Sequence, residues 1–113
     1  MKYDLEERTI KFAEKVIGLC KKVRQDTITK PIISQLVRAA TSIGANYAEA
    51  NGASSKKDFK NKVFICKKEA RETKYWLRLL AITMPEHKEE CEICFKEVQE
   101  LTLIFSKIVM NTN

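Results

Sequence analysis

The chain has 113 residues, 44% of them apolar and 32% charged, with only three Gly and two Pro. That is the length of one domain, residues 1–113. It holds too few turn formers for a β-sandwich or barrel, which turns every roughly 8–12 residues. The composition therefore predicts an all-α protein, and the formal net charge of +6 suits an acidic partner.

No stretch reaches the roughly 20 apolar residues of a membrane span. The longest uncharged run, residues 39–48, contains Thr41, Ser42, Gly44 and Asn46. Asp4, Glu6 and Glu7 stand where a secretory signal needs an apolar core. A cytoplasmic protein without a membrane partner is expected, its four cysteines reduced thiols.

Four segments carry helical periodicity. The first runs from about residue 4 to 25, with Leu5, Thr9, Phe12, Val16, Leu19 and Val23 on one face. Ala13, Ile17 and Cys20 widen that face, and Gln25-Asp26-Thr27 ends it. The second covers about residues 30–51, with Pro31 in its first turn. Ile33, Leu36, Val37, Ala40, Ile43, Tyr47 and Ala48 form its apolar face. Asn51-Gly52 is a stop signal of the left-handed kind. Gly44 inside this helix costs about 1 kcal/mol against Ala, which a close helix–helix approach would explain. Beside the apolar face lies a small and polar stripe of Gln35, Arg38, Ala39, Ser42, Asn46 and Glu49. It fits a solvated flank, a subunit interface, or a local network closing onto the turn at residues 51–55.

The third segment, about residues 56–82, opens on Ser55 with Asp58 three places on, which resembles a capping box. Phe59, Val63, Cys66, Ala70, Thr73, Leu77 and Leu80 then alternate steps of four and three. The fourth covers about residues 85–110, with Cys91, Cys94, Val98, Leu101, Phe105 and Ile108 in line. Short connections force neighbours to run antiparallel, so an up-down-up-down four-helix bundle is expected. Phe64, Ile65, Trp76 and Leu79 exceed what one core face can hold, and surplus apolar surface points to a homo-oligomer.

Charge is concentrated in the third helix. Nine basic residues stand against three acidic ones from Lys56 to Thr83, and three against six from Met84 to Asn113. Lys57, Lys60, Lys67, Arg71, Lys74 and Arg78 form, with Phe64, a stripe offset from the Phe59/Val63 face and about 32 Å long. None of the six cations has an Asp or Glu three or four places away. A solvated helix usually intersperses such partners, each worth about 0.2–0.5 kcal/mol. One reading is a surface that holds RNA or DNA phosphates, with Tyr75 or Phe64 available for stacking. Two others stay open. The stripe is simply solvated, or it meets the acidic face of the fourth helix (Glu86, Glu89, Glu90, Glu97, Glu100) in the same or a neighbouring subunit.

Catalytic patterns are sparse. His87, Cys91 and Cys94 share a helix face, with Cys20 or Cys66 across the bundle. Their register with the core stripe reads as buried thiols rather than zinc ligands. Cys91-x-x-Cys94 lacks the βαβ setting of a redox motif. A di-iron bundle needs two Glu-x-x-His motifs, but the single histidine, His87, has Met84 three places before it. No nucleophile elbow or phosphate loop is present. Glu69/Glu72 and Glu97/Glu100 read as ordinary surface carboxylates. No enzyme activity, metal or cofactor is expected.

The run Gln35-Leu36-Val37-Arg38-Ala39-Ala40-Thr41-Ser42-Ile43-Gly44-Ala45-Asn46-Tyr47-Ala48-Glu49-Ala50 resembles the hallmark of the four-helix-bundle proteins encoded in 23S rRNA intervening sequences, roughly QLxRAAxSIxxNIAEG. Tyr47 replaces the usual Ile and Ala50 the usual Gly, and glycine arrives as Gly52. The third helix, from Ser55 through Phe59 and Glu69 to Trp76-Leu77, is also similar to the family. The resemblance implies a bacterial up-down bundle assembling as a ring, a homopentamer, with no established catalysis. It implies an architecture like that of the basic pentameric accessory protein of diversity-generating retroelements, which binds nucleic acid and a reverse transcriptase. Arg38, Ser42, Asn46 and Glu49 match the motif and are expected as structural or interface positions. Together these readings predict a non-enzymatic, oligomeric binder of structured RNA or DNA. The alternative is a protein-interaction scaffold ring whose basic face pairs with the acidic fourth helix or a partner protein.

Overall fold

A computed structural model describes residues 4–113; the first three residues of the expected domain lie outside it. Four α-helices follow in order: α1 (Leu5–Lys22), α2 (Thr29–Asn51), α3 (Lys56–Thr83) and α4 (Lys88–Asn111). A 3-10 turn, Pro85–His87, precedes α4, so the expected fourth segment is two elements divided at Lys88. No strand occurs among the described residues. Cross-links run in opposite order along neighbouring helices: Arg38 with Glu69 and Glu49 with Lys62, Arg8 with Glu97 and Lys22 with Glu90. The helices alternate in direction as short loops require.

The first three helices each start for a local reason. The Asp4 carboxylate accepts from the Glu7 N–H at 3.1 Å, and the Ser55 hydroxyl oxygen accepts from the Asp58 N–H at 3.0 Å; both satisfy an N–H left without an intrahelical partner. α1 ends three residues before the expected Gln25, because Val23 turns extended and inserts its buried side chain into the core. Asp26 then accepts from the N–H groups of Ile28 and Thr29, both at 2.8 Å. The Thr29 hydroxyl donates to the Arg24 carbonyl at 2.7 Å. This closed turn starts α2 at Thr29, with Pro31 in the first turn as expected. Gly52 ends it with φ −100°. No described residue has positive φ, so the expected left-handed stop is not used.

The core follows the periodic stripes closely. Leu5, Thr9, Phe12, Val16, Leu19 and Val23 are all buried, as are Val63, Cys66, Ala70, Thr73, Leu77 and Leu80, and Cys91, Cys94, Val98, Leu101 and Phe105. Burying a large side chain of this kind is worth about 1.5–3 kcal/mol. α1 widens its face toward Cys20 only; Ile17 stays 39% exposed. On α2 the buried set is Ile32, Ile33, Leu36, Ala39, Ala40, Ile43 and Ala50. Ala39, expected in the polar stripe, is fully buried, and Ala48, expected in the apolar face, is exposed. Of the surplus apolar residues, Trp76 and Leu79 pack on the core's edge, while Phe64 and Ile65 are exposed.

α1 and α2 approach closely at Gly44. A methyl group there would sit 2.9 Å from the Thr9 Oγ1 and 3.3 Å from its Cβ. Thr9 is fully buried and its hydroxyl donates to the Glu6 carbonyl at 2.6 Å. Moving this stiff β-branched side chain would break its hydrogen bond to Glu6. Gly44→Ala gains about 1 kcal/mol of helix propensity but incurs overpacking of about 1–3 kcal/mol. Denaturant melts should show a net loss of about 1 kcal/mol, and Thr9→Ala should cost less in the Gly44→Ala background than in the wild type.

Candidate nucleic-acid interface

Arg38 sits on α2 facing α3. Its side chain pairs with Glu69 at 3.3 Å and, more closely, with Glu72, while its Nε donates to Gln35 at 3.2 Å. Trp76 Nε1–H donates to the same Glu72 carboxylate at 3.1 Å. Glu69 and Glu72 are therefore not ordinary surface carboxylates. They are one helical turn apart, so both reach one guanidinium. The polar stripe of α2 thus becomes a network, but it closes onto α3 and not onto the turn at residues 51–55. Glu49 extends the seam by accepting from Lys62 at 3.0 Å. Ser42 and Asn46 donate to the carbonyls of Arg38 and Ser42 on their own helix. Of the four motif positions, Arg38 and Glu49 tie α2 to α3.

A second fork repeats the arrangement. Arg8 of α1 pairs with Glu97 at 2.8 Å and Glu100 at 2.9 Å on α4, and Lys22 pairs with Glu90 at 2.7 Å. Three of the five carboxylates expected to face the basic stripe therefore face α1. Within one chain, the pairing of the stripe with acidic α4 does not occur among the described residues.

The six cations of the α3 stripe are left largely to solvent. Lys57, Arg71 and Arg78 are exposed, and Lys60 is half-buried; none of the four makes an ion pair or hydrogen bond. Lys67 lies over the Phe64 ring at 5.6 Å. Lys74 donates to Gln99 of α4 at 3.1 Å, a neutral acceptor that leaves its charge uncompensated. Phe64 is 54% and Tyr75 55% exposed. Tyr75 meets Trp76 edge-on, with ring centroids 4.9 Å apart, and keeps open surface. Sequence periodicity located the stripe; it did not locate Arg38 as the reason that the acids of α3 turn away from it.

The cysteines are core residues. Cys20, Cys66, Cys91 and Cys94 are buried free thiols. Burial pushes Cys20 up to about 11 and Cys66 and Cys91 up to about 12, with Cys94 also raised. Neutral thiols are poor nucleophiles and poor metal ligands. Among the described residues no three His, Cys, Asp or Glu side chains are placed to hold a metal ion, and no helix is long and apolar enough to cross a membrane.

The hydrogen bond from Trp76, then that from Arg38, holds the Glu72 carboxyl below its ordinary 4.5; the bond from Arg8 does the same for Glu97. A depressed carboxyl stabilises the fold above its unfolded-state value, and that contribution disappears as pH falls through the folded-state value. Stability should therefore decline as pH drops below about 4.5, with a shallower decline in Glu72→Gln/Glu97→Gln. Trp76 is the single tryptophan, so its emission should change over the same interval in the wild type and not in Glu72→Gln. Arg38→Ala should cost about 1 kcal/mol at neutral pH in a denaturant melt, the upper range for a partly exposed ion pair.

Among curated proteins, no relative matches the chain. A solved structure from Bacteroides thetaiotaomicron VPI-5482, described as a protein with unknown function from the S23 ribosomal protein family, is similar with a TM-score of 0.83 and 33% identity. The similarity covers 94% of this chain and 98% of that one. The family model for the 23S rRNA-intervening sequence protein matches residues 1–107. This chain belongs to the 23S rRNA-intervening sequence protein family.

Proposed function

We propose that the chain is a non-enzymatic, oligomeric helical bundle of the bacterial cytoplasm that binds structured RNA or DNA through α3. The observation that carries this reading is the lack of compensation along the stripe. Glu69 and Glu72 are held by Arg38, and Glu90, Glu97 and Glu100 by the cations of α1. Lys57, Lys60, Lys67, Arg71, Lys74 and Arg78 thus form a line of about 32 Å with no carboxylate on it. Phosphates spaced along a nucleic-acid backbone match such a line, and release of their counterions drives association. Phe64 and Tyr75 offer aromatic faces beside it.

Exposed apolar side chains support self-association. Ile10 and Ile17 of α1 and Ile93 of α4 are 39–50% exposed. We assign them to contacts between copies in a ring, with five copies implied by the family. Native mass spectrometry should then show a species of five times the 13.0 kDa chain, and Ile10→Glu/Ile17→Glu should reduce it to monomer. A predominantly monomeric wild type at micromolar concentration would overturn the ring.

Binding of a labelled RNA hairpin should fall linearly in log–log form between about 50 and 200 mM salt. Lys67→Glu/Arg71→Glu/Lys74→Glu should lower the slope by about 2–3, at about 0.7–0.9 per lost phosphate contact. Unchanged binding by that variant would remove the stripe from the interface. Failure of the wild type to bind at about 50 mM salt would favour the scaffold reading, in which the basic face meets a partner protein or the unpaired Glu86 and Glu89 of a neighbouring copy.

A further inference from the structure

We propose that the groove between the C-terminal half of α3 and the start of α4 receives one unpaired nucleotide whose base carries an exocyclic amine. The inference rests on the nucleic-acid reading above and adds a site to it. The groove has a volume of about 310 Å³, at the lower end of the roughly 300–1,000 Å³ of small-ligand sites. Its floor is apolar: Leu77 and Ala81 from α3, Cys91 and Phe95 from α4. Burial keeps the Cys91 thiol neutral, so the floor carries no charge there.

The rim is polar and open to solvent. Arg78 and Lys88 stand on it as cations, and Glu92 as a carboxylate. None of the three makes a hydrogen bond or ion pair. Arg78 is also the last cation of the α3 stripe, so a backbone lying along the stripe arrives at this groove. The opening continues past Glu92 and Phe95 to Lys96, which places another cation where the chain would leave.

These groups fit one chemistry. A phosphate lies between Arg78 and Lys88, and the planar base lies against Phe95. An ionised carboxylate only accepts hydrogen bonds. Glu92 therefore suits the amine of cytosine or adenine and opposes the 4-carbonyl of uracil. A paired base cannot enter, because its Watson–Crick edge is occupied and its faces are stacked.

The test compares a uridine octanucleotide with the same strand carrying one central cytidine. Their phosphates are identical, so the stripe contributes equally to both. The cytidine strand should bind at least about five-fold tighter to the wild type, the lower range for base discrimination by a side chain. Glu92→Gln, an exposed position with no partner to lose, should abolish that preference while retaining binding of both strands. Equal affinity of the wild type for the two strands, or a preference that survives in Glu92→Gln, overturns the groove and leaves the stripe standing. Binding of the RNA hairpin with neither octanucleotide bound also overturns the groove alone. Failure of hairpin and octanucleotides together overturns the nucleic-acid reading on which it rests.

Discussion

Arg38 decides how charge is distributed over this molecule. α3 holds nine cations and three acids from Lys56 to Thr83, and two of those acids, Glu69 and Glu72, are bound by the guanidinium of α2. Glu69 is only 16% exposed. Both carboxylates are consumed at the α2–α3 seam, and Trp76 fixes Glu72 from the other side. An Arg is well suited to this place because its planar fork satisfies two carboxylates at once, which a lysine cannot do with the same geometry. The opposite flank of α3 consequently carries like charges with nothing to offset them.

The rest of the bundle is arranged around the same economy of partners. Arg8 repeats the fork on α4, and with Lys22 it takes up three carboxylates of the acid-rich last helix, Glu90, Glu97 and Glu100. A basic helix and an acidic helix lie side by side without an ion pair between them among the described residues. Neighbouring opposite charges on two helices do not pair by proximity in sequence statistics; they pair according to which helix face each occupies. Glu90, Glu97 and Glu100 lie toward α1, while Phe95 and Gln99 lie toward α3.

This explains what could be read from the sequence and what could not. The apolar stripes of α1, α3 and α4 were legible because a helix buries every third and fourth residue, and almost every position in those stripes is buried. On α2 the expectation slipped at Ala39 and Ala48, since alanine carries too little apolar surface to mark which face is inside. The end of α1 was placed late because Val23 is buried outside the helix, so periodicity ran past the backbone. Gly52 looked like a left-handed stop, but the loop to Ser55 is satisfied with ordinary φ. Gly44 was legible as a close approach, although its partner Thr9 was not. The basic stripe was visible as spacing. The forks were not, because Arg8 and Glu97 lie 89 residues apart and only the fold brings them together.

The four seams differ in what closes them, and that difference sets the proposed nucleic-acid face apart. α1 and α2 meet by close backbone approach at Gly44. α2 and α3 are joined by the Arg38 fork and the Glu49–Lys62 pair, and α4 and α1 by the Arg8 fork and the Lys22–Glu90 pair. The α3–α4 seam has its buried apolar strip, one neutral link from Lys74 to Gln99, and an open groove edged by Arg78, Lys88 and Glu92. Ion pairs here would have added little stability, given the small worth of exposed pairs, but they would have neutralised the stripe. With its charges unpaired and its groove unfilled, this seam presents the potential and the concavity that an anionic, partly aromatic polymer requires. Core packing supplies the stability, and the ionic pairs at the other seams hold Glu69, Glu72, Glu90, Glu97 and Glu100 there.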